Sequence, residues 1–185
     1  NNKFVYTFSQ MKRTFLNINE KLYIKQSGKN MLIRHGADKA IDEDSVFYAS
    51  KNSPGFLENL NTLLLELKRY CVTSDMLKKS AENTDNKILK NKLITIAGVF
   101  DEFQRLLDEG QFLDAEDDYM RLAEEISNNG YFCDAYVWVD MFSDFSPQHL
   151  GVLEAILKSG AQMTVYIPAK TDGGVPDDSI LEFPE

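Results

Sequence analysis

The stretch VWVDMFSDFSPQH, Val137 to His149, decides how the rest of the chain is read. Apolar residues run into Asp140, and with Ala135 and Tyr136 in front they read as a buried strand, AYVWV. A second acid, Asp144, follows four positions later. Ser146-Pro147 then reads as a helix start, with serine at the N-cap and proline at the first helical position. Leu150, Leu153, Ile156 and Leu157 form the inward face expected of that helix, and Gly160 its C-terminal cap. Gln162 to Pro168, QMTVYIP, reads as another buried strand. A strand–helix–strand unit of this size places its two strands parallel.

Upstream, Lys3 to Phe8, KFVYTF, reads as a short buried strand joining the same sheet. A strand so near the first residue implies that the chain begins within a domain. Gln10 to Asn17 continues it as a helix, and Lys29 to Ser50 reads as short helices and turns. Ser53-Pro54 opens a helix whose apolar stripe is Leu57, Leu60, Leu64, Leu67 and Cys71. Thr73 or Ser74 caps a short helix through Lys79. The longest stripe is Leu89, Leu93, Ile96, Phe100, Phe103 and Leu107, ended by Gly110. Asp114 caps an acidic helix, AEDDYMRLAEEIS, whose first-turn acids suit the positive end of the helix dipole. The expected fold class is therefore α/β: a partial parallel sheet with a large all-helical insertion. Residues 1–18 and 131–170 form a discontinuous α/β domain, 19–130 the helical insertion, and 171–185 a linker or disordered tail.

The chain has 185 residues, 43% hydrophobic and 11% aromatic, which marks a folded chain. No apolar run approaches the roughly 20 residues that span a membrane, and no signal-peptide layout is present. Two cysteines, Cys71 and Cys133, make neither a disulfide framework nor a zinc site. A cytoplasmic setting is the simplest fit. The net charge of −9 opposes autonomous DNA binding, because phosphate neutralisation supplies most non-specific affinity.

Two segments carry a resemblance. YTFSQMKR, Tyr6 to Arg13, resembles the strand-to-helix motif with which superfamily-1 helicases touch single-stranded DNA. VWVDMFSDFSPQH resembles the later motif of those P-loop-type folds, a strand followed by Asp-Glu-Phe-Gln-Asp and a helix. The closer resemblance is to the B subunits of AddAB-type ATP-dependent helicase–nucleases, whose degenerate motif reads W-[IV]-D-G-F-x-x-F-[ST]-P-Q. Trp138, Val139, Asp140, Phe142, Phe145, Ser146, Pro147 and Gln148 fit it, and Met141 departs. PGFLENLNTLLLELKRY and FLDAEDDYMRLAEEI in the helical block are also similar to that family, and the resemblance covers roughly residues 3 to 170.

The resemblance implies a subunit that processes DNA double-strand breaks for homologous recombination. Its A subunit is the ATP- and Mg²⁺-dependent motor and heterodimer partner. The B subunit scaffolds the complex, guides or scans one strand and helps recognise the hotspot called Chi. A C-terminal nuclease domain with an iron–sulfur cluster would lie outside this chain. The expected partners are the A subunit, and DNA through the full complex, with no membrane.

On this reading Asp140, Met141, Phe142, Ser143 and Asp144 are a degenerate Walker B-like motif. In an active motor the aspartate holds Mg²⁺ and the next residue, a glutamate, positions the attacking water. A thioether does neither, so no catalytic residue and no metal ligand is expected. No G-x-x-x-x-G-K-[ST] phosphate loop occurs in the chain. The plain reading of Asp140 and Asp144 is that they cap the turn and helix. Phe8, Ser9, Gln10, Lys12 and Arg13 are the DNA-binding candidates, with a core phenylalanine and a serine cap as the plain reading. Lys21 to Gly36, with Tyr23, Lys25, Lys29 and Arg34, is the most basic stretch and reads as a DNA-facing or simply charged surface. Glu116, Asp117, Asp118, Glu124 and Glu125 read as a solvated helix face. His35 and His149 read as non-catalytic. Two other classes stay open: a protein-interaction module using the helical block, and a metal-dependent phosphoesterase using Asp140 and Asp144.

Overall fold

The computed structural model describes residues 3–16, 18–53, 55–140 and 145–166. In chain order the helices are α1 (Phe8–Phe15), α2 (Gln26–Ala40), α3 (Phe56–Arg69), α4 (Ser74–Glu82), α5 (Lys87–Glu109) and α6 (Asp118–Asn129). Strand β1 (Tyr136–Val139), helix α7 (Pro147–Lys158) and strand β2 (Gln162–Val165) follow.

The strand–helix–strand unit forms, but its strands, expected to be buried, are open to solvent on one face, and β2 is exposed at Gln162, Thr164 and Val165. β1 and β2 pair in parallel, with Tyr136 opposite Gln162 and Val139 opposite Val165. Ser146 caps α7, its side chain accepting the His149 N–H at 3.3 Å, and Pro147 takes the first helical position. Gly160 lies just past the helix with φ 99°. The inward face of α7 is Val152, Leu153, Ala155 and Ile156, whereas Leu150 and Leu157 are about half exposed. The helix is turned from its expected register because α6 packs along one side of it while the sheet takes the other. Val137 and Val139 face that core, and Tyr136 and Trp138 point outward, both nearly two-thirds exposed.

The strand expected over Lys3–Phe8 does not form. Among the described residues the sheet has two strands, and residues 3–7 are irregular, with Phe4 and Val5 exposed. A strand needs a ladder partner, and this segment finds none here. A capping box instead starts α1 at Phe8. Thr7 Oγ1 accepts from the Gln10 N–H at 3.2 Å, and Gln10 Oε1 accepts from the Thr7 N–H at 2.8 Å. The expected Ser9 cap is therefore Thr7. The tail 171–185, expected as a linker, lies outside the described residues.

The helical block also departs from its expected outline. The segment read as short helices and turns holds the 15-residue α2. Gly36 is a contact point: a Cβ there would lie 3.1 Å from the Val99 carbonyl oxygen of α5. Close approach of α2 and α5 is what this glycine permits. The α5 terminus is similar. Gly110 has an ordinary φ of −78°, and Gln111 takes the left-handed position with φ 52°. The Phe112 ring folds back to within 2.5 Å of where a Gly110 Cβ would be. Gly55, rather than Ser53, caps α3.

Two apolar cores result. One joins Phe8, Met11, Leu122, Ile126, Val139, Val152 and Ile156, so α6 packs with α1, α7 and the sheet. The other joins Ile33, Ala37, Leu60, Leu64, Val99, Phe103 and Leu107 of α2, α3 and α5. α4 lies against α5 through Leu77 and Ala81. Between them run the Lys68 bonds to Asp114 and Asp117 and the Gln148 bonds to the Lys68 and Glu116 carbonyls.

Candidate functional site

Phe8 and His149 stack at 4.3 Å with their planes 14° apart. That contact brings together the two segments singled out in the sequence, since Phe8 opens α1 and His149 sits in the first turn of α7. Tyr119 of α6 closes the cluster, edge-on to Phe8 at 6.3 Å and to His149 at 4.9 Å. Phe8 is 7% exposed, so its ring belongs to the core.

The other candidates on α1 divide. Ser9, Gln10 and Arg13 are exposed. Gln10 is engaged in the capping box. Lys12 is drawn back toward α6, with its ammonium 4.5 Å from the Tyr119 ring centre and 3.6 Å from Asp118. Among the described residues Arg13 has no ion pair and is the open positive charge of this group.

Asp140 lies exposed at the tip of β1, where the Tyr166 N–H donates to the Val139 carbonyl at 2.8 Å. Met141, Phe142, Ser143 and Asp144 lie outside the described residues. No group of three or more metal-ligating side chains occurs among the described residues.

A buried charge cluster takes in Asp117 and Asp118, expected from the sequence to lie on a solvated helix face. Lys68 of α3 is 5% exposed. Its ammonium donates to Asp114 at 2.9 Å and Asp117 at 2.8 Å, and lies 5.2 Å from the Phe103 ring centre. Lys29 pairs with Asp114 at 2.5 Å. Gln148 Nε2 donates to the carbonyls of Lys68 at 3.0 Å and Glu116 at 2.8 Å. The Tyr23 hydroxyl donates to Asp118 at 2.7 Å, and Arg121 pairs with the same carboxylate at 3.0 Å.

Asp114, Asp117 and Asp118 thus face inward, and Tyr23 and Lys29 of the basic stretch face them. Burial pushes Asp114 up, but Lys68 and Lys29 outweigh it and leave the carboxyl below its ordinary value. At Asp117 burial wins over Lys68 and the value is raised. Burial, then the bond to Asp118, raises Tyr23 against the pull of Arg121. One signal for this cluster was present in the sequence. Lys68 continues the buried Leu60–Leu64 register of α3 at four-residue spacing, and a charge on an apolar stripe needs a buried partner.

Glu102 of α5 is a further buried carboxylate, away from this cluster. Arg105 grips it through two nitrogens at 2.6 and 2.9 Å, and Lys39 donates to it at 2.6 Å. Arg105 first, then Lys39, holds its pKa down to about 2 from 4.5. A depressed carboxylate stabilises the fold fully above its unfolded value and loses that contribution as pH falls toward the folded one. The stability advantage of the wild type over Glu102→Gln is therefore expected to shrink between pH 4.5 and 2. Urea midpoints of both proteins across that range check this, and a difference that ignores pH defeats it.

A two-stranded parallel sheet among a larger set of helices, with two helix starts joined by a ring stack, is consistent with an α/β class. Comparison with known proteins gives the particular family. The family described as "ADDB, N-terminal" matches residues 4–179. The chain is 34% identical over 144 residues to the B subunit of the ATP-dependent helicase/deoxyribonuclease of Clostridium novyi, covering 78% of this chain and 13% of that protein. It is 30% identical over 159 residues to the B subunit of the same name from Clostridium acetobutylicum, covering 86% and 14%. It is 32% identical over 172 residues to the one from Geobacillus kaustophilus, covering 88% and 15%. The chain belongs to the AddB N-terminal family, and it spans about a seventh of the length of these relatives. No helix among the described residues is long and apolar enough to cross a membrane.

Proposed function

We propose that this chain is the N-terminal part of the B subunit of a DNA end-processing helicase/nuclease, and that it works as a non-hydrolysing, helicase-like scaffold that guides a DNA strand. The observation that carries this reading is the Phe8–His149 stack. It sets the helix start expected to touch DNA beside the helix that follows the degenerate strand-end motif. Met141 in place of glutamate supports a motor motif kept for its fold rather than for hydrolysis. The parent would pair with an A subunit that supplies the ATP-driven movement, and strand scanning for Chi belongs to the same proposal. The parallel sheet would be the core of a superfamily-1-like domain, with the helical block inserted after α1. The insertion is then best bounded before α6, whose Leu122 and Ile126 lie in the α/β core.

In this scheme exposed Ser9 and Arg13 meet the strand's phosphates, whereas Phe8 and Lys12 hold α1 in place. The test uses the full-length protein with its partner, and reads affinity for forked DNA against salt. Arg13→Glu is expected to weaken binding and lower the salt slope by about 1, with the melting temperature unchanged. Asp140→Ala is expected to leave ATP hydrolysis by the complex unchanged. Indifference of the wild-type complex to DNA would favour the protein-interaction reading instead.

A further inference from the structure

The helical block and the α/β unit are connected by two chain segments, residues 18–25 and 110–117. These segments are bonded to each other. The Ile24 N–H donates to the Leu113 carbonyl at 2.9 Å, and the Leu113 N–H donates to the Leu22 carbonyl at 2.8 Å. The principal helix pairs lie on one side or the other: α2 with α5, α4 with α5 and α2 with α3, against α6 with α7 and α1 with α6. The two cores share no residue.

Apolar packing is dense and non-directional, and it fixes helices along their length. A polar joint has a few directed bonds that can break together. We infer that residues 18–25 and 110–117 form a two-stranded hinge on which the helical block turns as a unit, and that Gln148 is its latch. Gln148 is 5% exposed and projects from α7. Its amide reaches the Lys68 carbonyl at the end of α3 and the Glu116 carbonyl within the hinge. One side chain of the α/β unit therefore holds both the helical block and the hinge segment. The Lys68–Asp114–Asp117 cluster pins α3 to the same hinge segment, so it travels with the block when the latch opens. Gln111, with φ 52°, marks where α5 hands over to the hinge. The inference does not depend on DNA being the ligand.

Hydrogen–deuterium exchange on the full-length protein tests it, with Gln148→Ala compared to wild type. Exchange of amides in 18–25 and 110–117 is expected to quicken about tenfold, the loss of one buried hydrogen-bonded latch, while the interiors of α5 and α7 keep their protection. Unchanged exchange in both segments would overturn the hinge. So would faster exchange spread evenly through α2, α3 and α5, which would mean that Gln148 merely stabilises the block. Should Gln148→Ala not fold, Gln148→Met keeps the side-chain volume without the donor, and the same outcomes are read from it.

Discussion

Lys68→Met is expected to destabilise the fold by about 3–5 kcal/mol, the usual cost of removing one partner from a buried ion cluster. The methionine fills the space and keeps the contact with Phe103, so the loss isolates the charge. Asp114 then keeps its pair with Lys29, and Asp117 loses the lysine it pairs with, at positions where water reaches Asp114 hardly at all. Equilibrium urea unfolding of the two proteins measures the difference. A loss below about 1 kcal/mol would mean that water reaches the cluster and that it behaves as surface charge. Asp117→Asn should cost less, because the quarter-exposed carboxylate is already opposed by burial.

Phe8→Ala is expected to cost about 3–5 kcal/mol, the range for removing a buried phenylalanine and leaving a cavity. The cavity would lie between His149 and Tyr119, where neither ring can follow without leaving its own helix. Ser9→Ala and Arg13→Ala, one and five positions away, should stay within about 0.5 kcal/mol because both residues are exposed. The same three variants separate structure from contact. Phe8→Ala acting on DNA binding at full stability would make the ring a contact residue. Loss of stability with unchanged DNA affinity in the folded fraction would make it a core residue alone.

Local signals carried over well where one short segment sets its own conformation. Ser146-Pro147, Thr73 and the positions of β1 and β2 were readable locally, though the burial expected of both strands was not met. The errors fall where a distant residue decides. KFVYTF has the composition of a strand, but composition does not supply a neighbour, and the capping box at Thr7 ends the segment first. Lys29 to Ser50 reads as short helices and turns, whereas α2 runs unbroken to Ala40, with Gly36 close against the Val99 carbonyl of α5. Asp114 is the expected cap, accepting the Glu116 N–H at 3.1 Å, but Asp117 and Asp118 have the spacing of a wet helix start. Distant partners turn them inward: Lys68, some fifty residues earlier, and Tyr23, almost a hundred residues earlier. Of the candidate site, the two motif segments were legible. Their meeting through Phe8 and His149 was not, because most of the chain separates the two rings.

Trp138 gives the outer face of the sheet an optical label. It is the chain's only tryptophan and stands 65% exposed beside Tyr136. Its indole sits in water rather than in either core, so its emission is nearly blind to the packing changes discussed above. Whatever comes to lie over β1 shifts that emission to shorter wavelength, and the shift can be titrated without a dye. Unfolding of the helical block and covering of the sheet can thus be followed as separate signals in one cuvette, the first by circular dichroism and the second by fluorescence.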